Sequence, residues 1–245
     1  MAKVLLTGSA DGLGLLSARL LISEGHSVVL HARNEERSKK VRLQTPGAHA
    51  VLFGDLSSLE ETINVAEQAN ALGKFDAVIH NAGVYQVSSK EIFAVNTIAP
   101  YVLTSLISAP ARLVYMSSGM HMHGRPNFEN FRREQVSYSD SKLHVLMLAK
   151  AVARRWHHTY ANAVDPGWVP TRMGGPGAPE DLEKGYETQS WLAVSDDAKA
   201  LVTGRYFKHQ MERRYNTQAD DASLQEQFLT KCREITGIPF PESNK

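Results

Sequence analysis

Thr7-Gly8-Ser9-Ala10-Asp11-Gly12-Leu13-Gly14 follows the short apolar run Val4-Leu5-Leu6 and runs into Leu16, Leu20 and Leu21 at helical spacing. A glycine-rich turn is read as a phosphate cradle only where a strand precedes it and a helix follows it, and both conditions hold here. The glycines permit the tight turn, the close approach of backbone to a pyrophosphate and the packing of helix on strand. The helix N-terminus adds N–H donors and the positive end of its dipole. The spacing is T-G-x-x-x-G-x-G, not the G-x-G-x-x-G of the two-domain dehydrogenases.

Outward from that turn, short apolar and β-branched runs alternate with longer helical patterns. Candidate strands are 3–7, 27–31, 49–53, 77–80, 112–116 and 160–164, with a weaker one at 205–207. Most are too short for helices, and their unbroken apolar character suits a sheet covered on both faces. Amphipathic stretches lie at 13–24, closed by Gly25, and at 59–72, 91–107 and 139–157. This order predicts the α/β class: a single doubly wound parallel sheet of the Rossmann type, about seven strands, helices on both faces. A Pro- and Gly-rich block at about 165–187 reads as a substrate lid rather than a linker, because the mostly helical segment after it is too short for a second core. Residues 1–245 are therefore expected to form one domain.

With 245 residues, 42% of them hydrophobic, the chain can build a core without metal or disulfide. Its 27 basic and 26 acidic residues leave a formal charge of +1, which argues against nucleic acid and anionic membrane surfaces as partners. The pairs Arg132-Arg133, Arg154-Arg155 and Arg213-Arg214 read as solvated helix faces. No apolar window is long enough for a membrane span, and no signal peptide is apparent at the N-terminus. Cys232, the single cysteine, cannot form an intramolecular disulfide and sits without an activating motif, so a reducing cytoplasm is expected.

Two further groups of residues carry chemistry. His80-Asn81-Ala82-Gly83 follows the fourth strand, beside the first strand at the switch point. Tyr138 and Lys142, at i and i+4, share one helix face at about 5–6 Å between Cβ atoms. An ammonium beside a phenol favours phenolate and moves its pKa down from about 10, so Tyr138 is expected to serve as general acid or base on a carbonyl or alcohol oxygen. The fifth strand ends in Ser117-Ser118, close to the start of that helix.

Taken together, Thr7-Gly8, Gly12, Gly14, Asn81-Ala82-Gly83, Asn96, Ser118, Tyr138, Lys142 and Pro166-Gly167 with Thr171 resemble the short-chain dehydrogenase/reductases in order and spacing, over residues 3 to about 207. Pro166-Gly167-Trp168-Val169-Pro170-Thr171 and Ile235-Thr236-Gly237 resemble the retinol dehydrogenase and WW-domain oxidoreductase branch, and bacterial daunorubicin C-13 ketoreductase-like members. The resemblance implies hydride transfer between nicotinamide and a small, largely apolar carbonyl or alcohol. Tyr138 would be the acid/base, and Lys142 would lower its pKa and hold the nicotinamide ribose. Ser118, with Ser117 as rival, would bind the substrate oxygen, and Asn96 would position a water relay to Lys142. It further places Gly8, Asp11, Gly12, Leu13, Gly14, Asp55, Leu56, Asn81, Ala82, Gly83, Tyr138, Lys142, Pro166, Gly167, Val169 and Thr171 along the cofactor. Many relatives form dimers or tetramers through helices equivalent to 91–107 and 139–157. Here Leu143, Leu146, Met147 and Lys150 fit either a core or an interface, and a monomer stays open.

The sequence also departs from the family pattern. His80 stands where Asn is more usual, and residues 120–128 lengthen the segment between Ser118 and Tyr138, either bordering the cleft or covering the sheet end. His121 and His123 lack further ligands at metal spacing, so no metal is expected. After the second strand, His31-Ala32-Arg33-Asn34 offers no acid for a ribose 2′-hydroxyl, while Arg33 suits a 2′-phosphate. NADP(H) is therefore favoured over NAD(H), with Asp11 the opposing charge. Trp168, Val169, Met173 and Tyr186 are candidates for an apolar substrate wall. Two other readings remain at this stage: a non-catalytic dinucleotide-binding regulator, and a sugar-nucleotide epimerase or dehydratase. The second calls for T-G-x-x-G-x-x-G in a longer chain, and neither feature is present.

Overall fold

A computed structural model describes residues 1–242. The central sheet has eight strands in the order β3-β2-β1-β4-β5-β6-β7-β8. They are β1 (Lys3–Leu6), β2 (Ser27–Ala32), β3 (Ala50–Phe53), β4 (Ala77–His80), β5 (Arg112–Met116), β6 (Tyr160–Val164), β7 (Tyr206–Lys208) and β8 (Met211–Glu212). All pairs are parallel except β7–β8, an antiparallel hairpin of two-residue register. Chain order reverses at β1–β4, so the turns after these two strands open into one crevice. The extra strand β8 lies in polar sequence with no apolar run to announce it.

Helices α1 (Gly12–Ser23), α2 (Glu35–Gln44) and α7 (Leu182–Val194) contribute to one core layer, where Ala18, Leu21, Val41 and Leu192 meet Val4, Leu6 and Ile79. The opposite layer holds α3 (Leu59–Ala71), α4 (Ser89–Ile92), α5 (Ala99–Leu106), α6 (Tyr138–Arg155) and α8 (Ala222–Thr236). The expected helix over 91–107 is α4 and α5 joined by a π-helical turn, Phe93–Ile98. Helix α2 is absent from the sequence-based reading because only Ser38 and Val41 on it are buried. Its start is fixed by Asn34, whose Oδ1 accepts the Arg37 N–H at 2.9 Å.

The block at 165–187 is shorter as a loop than expected, since Asp181 caps α7 by accepting the Glu183 N–H at 2.8 Å. It is also tied down: Glu180 accepts from the Trp168 N–H at 2.9 Å and pairs with Lys208 at 2.7 Å. Leu143, Leu146 and Met147 are core residues. Lys150 is engaged by Tyr215 (2.6 Å) and Asp220 (2.8 Å). The face of α5 and α6 is covered by the chain's own C-terminal segment: Phe228 stacks on His144, Tyr101 donates to the Ile238 carbonyl at 2.7 Å, and Trp156 stacks on Phe240.

Candidate active site

The crevice is a solvent-open cleft that runs from the ends of β1, β2 and β3 to the first turn of α6. Its floor is made by backbone packed too closely for side chains. Gly8 has φ +61°, and a Cβ on it would stand 2.7 Å from Ala82 Cα. A Cβ on Gly14 would stand 2.5 Å from Asn81 Nδ2. Asn81 Nδ2 donates to the carbonyls of Thr7 and Gly8 at 3.0 Å each, and Ala82 N–H donates to Thr7 Oγ1 at 3.0 Å. The two turns singled out in the sequence thus hold each other. His31 completes the lacing: Nδ1 accepts the Gly8 N–H at 3.1 Å and Nε2 donates to the Gly54 carbonyl at 3.0 Å. Burial pushes this imidazole down to about 4, so it is neutral with its proton on Nε2.

Beyond the floor stand two arginines. Arg33 lies 3.3 Å from Glu91 and 3.8 Å from Asp55. Arg37, on the first turn of α2, pairs with Asp11 at 3.3 Å and lines the same cleft. Sequence reading passed over Arg37 together with α2. Asp11, read there as a charge opposing a 2′-phosphate, is offset by Arg37.

At the far end, Ser137 and Asp140 form a capping box that fixes the first turn of α6 and hence Tyr138. Asp140 also accepts from Arg125 N–H (2.7 Å) and Asn127 Nδ2 (3.0 Å), fastening the long segment after Ser118 to this helix start. That segment is packed through Phe128 and Phe131, and none of it lines the cleft. Ser118 Oγ accepts the Met120 N–H at 3.2 Å and lies near enough to Tyr138 to act on its phenol. Ser117 lines the cleft, but its hydroxyl is spent on the Lys142 carbonyl at 2.9 Å.

Lys142 is buried, donates to the Met116 carbonyl at 2.7 Å and lies 5.4 Å from the centroid of the Tyr138 ring. Burial lowers it to about 8. Tyr138 is pushed up to about 12, burial outweighing the opposite influence of Ser118, with Asp165 and Tyr85 adding to the rise. The rise runs opposite to the lowering expected from Lys142, whose Nζ is anchored on a carbonyl and faces the ring.

Asn96 sits in the π-helical turn, where Oδ1 accepts the Val84 N–H at 2.8 Å and Nδ2 donates to Val84 O (2.9 Å) and Ser141 Oγ (3.1 Å). A Cβ on Gly83 would be 3.3 Å from Lys142 Nζ and 3.5 Å from Asn96 Oδ1, so these two groups approach one another across Gly83.

The cleft gathers Gly8, Asp11, Gly12, Leu13, Gly14, Arg33, Asp55, Leu56, Asn81, Ala82, Gly83, Tyr138, Lys142, Pro166 and Thr171. Asn96, Ser118, Gly167 and Val169 are not among these lining residues. Gly167 N–H donates to Asp165 Oδ1 at 2.9 Å, and Val169 is buried against Gly185 and α7. Of the four apolar candidates, Met173 lines the cleft, Trp168 is 60% exposed, and Tyr186 is half-buried on α7. His121 has both ring nitrogens engaged, Nδ1 donating to Ser118 O at 2.6 Å and Nε2 accepting the Asn216 N–H at 3.2 Å.

The family model of short chain dehydrogenases matches residues 2–181. The chain is 42% identical to the short-chain dehydrogenase chyC of Penicillium rubens, covering 98% of this chain and 100% of that one. It is 29% identical to mouse retinol dehydrogenase 14, over 96% of this chain and 86% of the relative. A short chain dehydrogenase from Shigella flexneri, solved in complex with NADP, superposes with a TM-score of 0.68 at 23% identity, covering 86% of this chain and 97% of that one. The chain belongs to the short-chain dehydrogenase family of oxidoreductases, whose fold binds a nicotinamide dinucleotide.

Proposed function

We propose that the protein is an NADP(H)-dependent oxidoreductase acting on the carbonyl or alcohol group of a small, largely apolar substrate, with Tyr138 as its acid/base. The observation that carries this reading is the meeting of Ser118, Tyr138 and Lys142 at one end of a cleft whose other end presents Arg33 and Arg37. The glycine floor fits a dinucleotide, because Gly8 and Gly14 leave room that any Cβ would fill. A bound nicotinamide supplies or accepts the hydride. Tyr138, held near 12, keeps its proton at neutral pH and can donate it to a carbonyl oxygen, which favours reduction. Ser118 offers a hydroxyl to the same oxygen. Lys142 is charged at pH 7 and stabilises the phenolate that proton transfer leaves behind. Val84, Val95 and Met173 give the cleft near Tyr138 an apolar side, and Tyr85 packs 4.7 Å from the Tyr138 ring. A cytoplasmic setting fits the single buried thiol, and among the described residues no helix is long and apolar enough to cross a membrane.

Arg33 and Arg37 present planar donor forks suited to a 2′-phosphate. Titration with NADPH and NADH, followed by nucleotide fluorescence, tests the cofactor. NADPH should bind more tightly, and Arg33→Ala and Arg37→Ala should each weaken it about tenfold (~1.4 kcal/mol) while leaving NADH unchanged. Tighter binding of NADH would assign NAD(H) instead, and equal affinities would remove the preference. Binding of NADPH without turnover of any apolar ketone would favour the regulator.

A further inference from the structure

The chain from Trp168 to Glu180 closes on itself. Glu180 N–H donates to the Trp168 carbonyl at 3.1 Å, and Glu180 Oε1 accepts the Trp168 N–H at 2.9 Å, so one residue holds both ends of the loop together. Inside it, Trp168 Nε1 donates to the Gly174 carbonyl at 2.8 Å, and Gly175 N–H donates to the Thr171 carbonyl at 2.8 Å. Among the described residues, the hydrogen bonds of 170–179 all stay within the loop, and Val169 is the only buried residue of 168–180. A surface loop of this kind, its ends joined and its interior self-bonded, is one compact body whose placement depends on how its neck is fixed.

The neck is fixed at two points. Val169 packs against Gly185 on α7, and Glu180 Oε2 pairs with Lys208 Nζ at 2.7 Å. Gly167, at φ +81°, leaves that oxygen its room, since a Cβ there would collide with it. Both side chains of the pair are 27% exposed, so the charges meet partly out of water. His209 Nε2 stands 3.6 Å from the same oxygen, too far for a hydrogen bond, which leaves the bond to Lys208. Lys208 ends β7, and the hairpin that follows is held in turn. His209 and Gln210 both lie at positive φ, a geometry that neighbouring contacts must enforce in residues other than glycine, and Gln210 N–H donates to Thr188 Oγ1 on α7 at 3.1 Å. The sheet edge therefore gives Lys208 a firm base.

Thr171, Arg172 and Met173, all within the loop, line the cleft that ends at Tyr138. We infer that Glu180 is a positioning residue of this site: paired with Lys208, it latches the loop to the sheet edge and holds those three residues against the place of the substrate. The inference rests on reading the cleft as the oxidoreductase site proposed above. The pair touches no reacting atom, so its loss should weaken substrate binding and leave the chemical step alone.

The test uses Glu180→Gln, which keeps an oxygen for the Trp168 N–H but loses the charge, and Lys208→Gln, with Lys208→Arg to restore the cation. Arg172 is exposed, so trypsin cutting after it, read by mass spectrometry, reports the freedom of the loop without using catalysis. Each Gln variant should be cut about fivefold faster, the double variant no faster than either, and Lys208→Arg at nearly the wild-type rate. In reduction of an activated aromatic diketone with NADPH, KM should rise about fivefold in the Gln variants, with kcat within about twofold of wild type. Cutting at the wild-type rate in both Gln variants, or additive effects in the double variant, would overturn the latch. Faster cutting at an unchanged KM would reduce Glu180 to a structural brace and overturn its positioning role. If Tyr138→Phe reduces the diketone as fast as wild type, the acid/base reading fails, and the tryptic and KM comparisons still decide the latch.

Discussion

Burial acts in opposite directions on Tyr138 and Lys142: it makes the phenol hold its proton and the ammonium lose it. The useful window for reduction is therefore bounded above by Lys142, at about 8, rather than by Tyr138, at about 12. The reduction rate at saturating NADPH should be flat below about pH 7 and decline as pH rises through 8. A profile that stays flat to pH 10 would show that the ammonium charge is not needed. Tyr138→Phe should lower kcat by about 10²–10⁴-fold with NADPH affinity nearly unchanged. The i, i+4 spacing made this pair legible in sequence, because one helix face follows from the spacing alone. Arg37 was not legible, because it lies on a helix with almost no apolar pattern to reveal it.

At the scale of elements, the β1–α1 turn and the turn after β4 form one unit, joined by Asn81 and Thr7. Their glycines are not equivalent. Gly8 combines a left-handed φ of +61° with a clash of 2.7 Å against Ala82 backbone, whereas Gly12, at φ +53°, has open space where its Cβ would go. Gly12→Ala should cost about 1–2 kcal/mol of strain. Gly8→Ala adds displacement of the Asn81–Gly83 turn, should cost about 2–4 kcal/mol in all, and should weaken NADPH as well. Thermal melts with and without NADPH would rank the two, and a smaller loss for Gly8→Ala would refute this account of the cradle.

Alternation of apolar runs and helical stretches foretold the bounds of six strands to within about one residue at each end, since buried parallel strands are the least ambiguous signal. The π-helical turn of Phe93–Ile98 left no trace in the apolar spacing, which continues through it. It is a backbone solution that turns Asn96 toward Val84 and Ser141.

For the molecule as a whole, buried imidazoles couple folding to pH: burial lowers the pKa of His121, in the turn after Ser118, and lowers three others, in different elements, further. His31 is in β2, His80 in β4 against Tyr115, and His144 in α6, where Nε2 donates to the Pro126 carbonyl at 2.7 Å. Burial lowers them to about 4, about 3 and about 4, from an ordinary value near 6.5. The unfolded chain therefore takes up these protons first as pH falls below about 6.5. Their contribution to stability is fully present above that value and is lost as pH descends toward 4. Within the window each histidine lowers the unfolding free energy by about 1.4 kcal/mol per pH unit, so the three together reach about 4 kcal/mol per unit. Set against an ordinary domain stability of about 5–15 kcal/mol, this predicts acid unfolding near pH 5, where most carboxylates are still charged. Urea unfolding at pH 7.5, 6.5 and 5.5 should show a steepening loss, and His144→Gln, compared with wild type at each pH, should remove about a third of that slope. A stability that stays constant from pH 7.5 to 5.5 would mean that the folded protein accepts these protons as readily as the unfolded chain, and that the two core layers open around the imidazoles well before the sheet itself gives way.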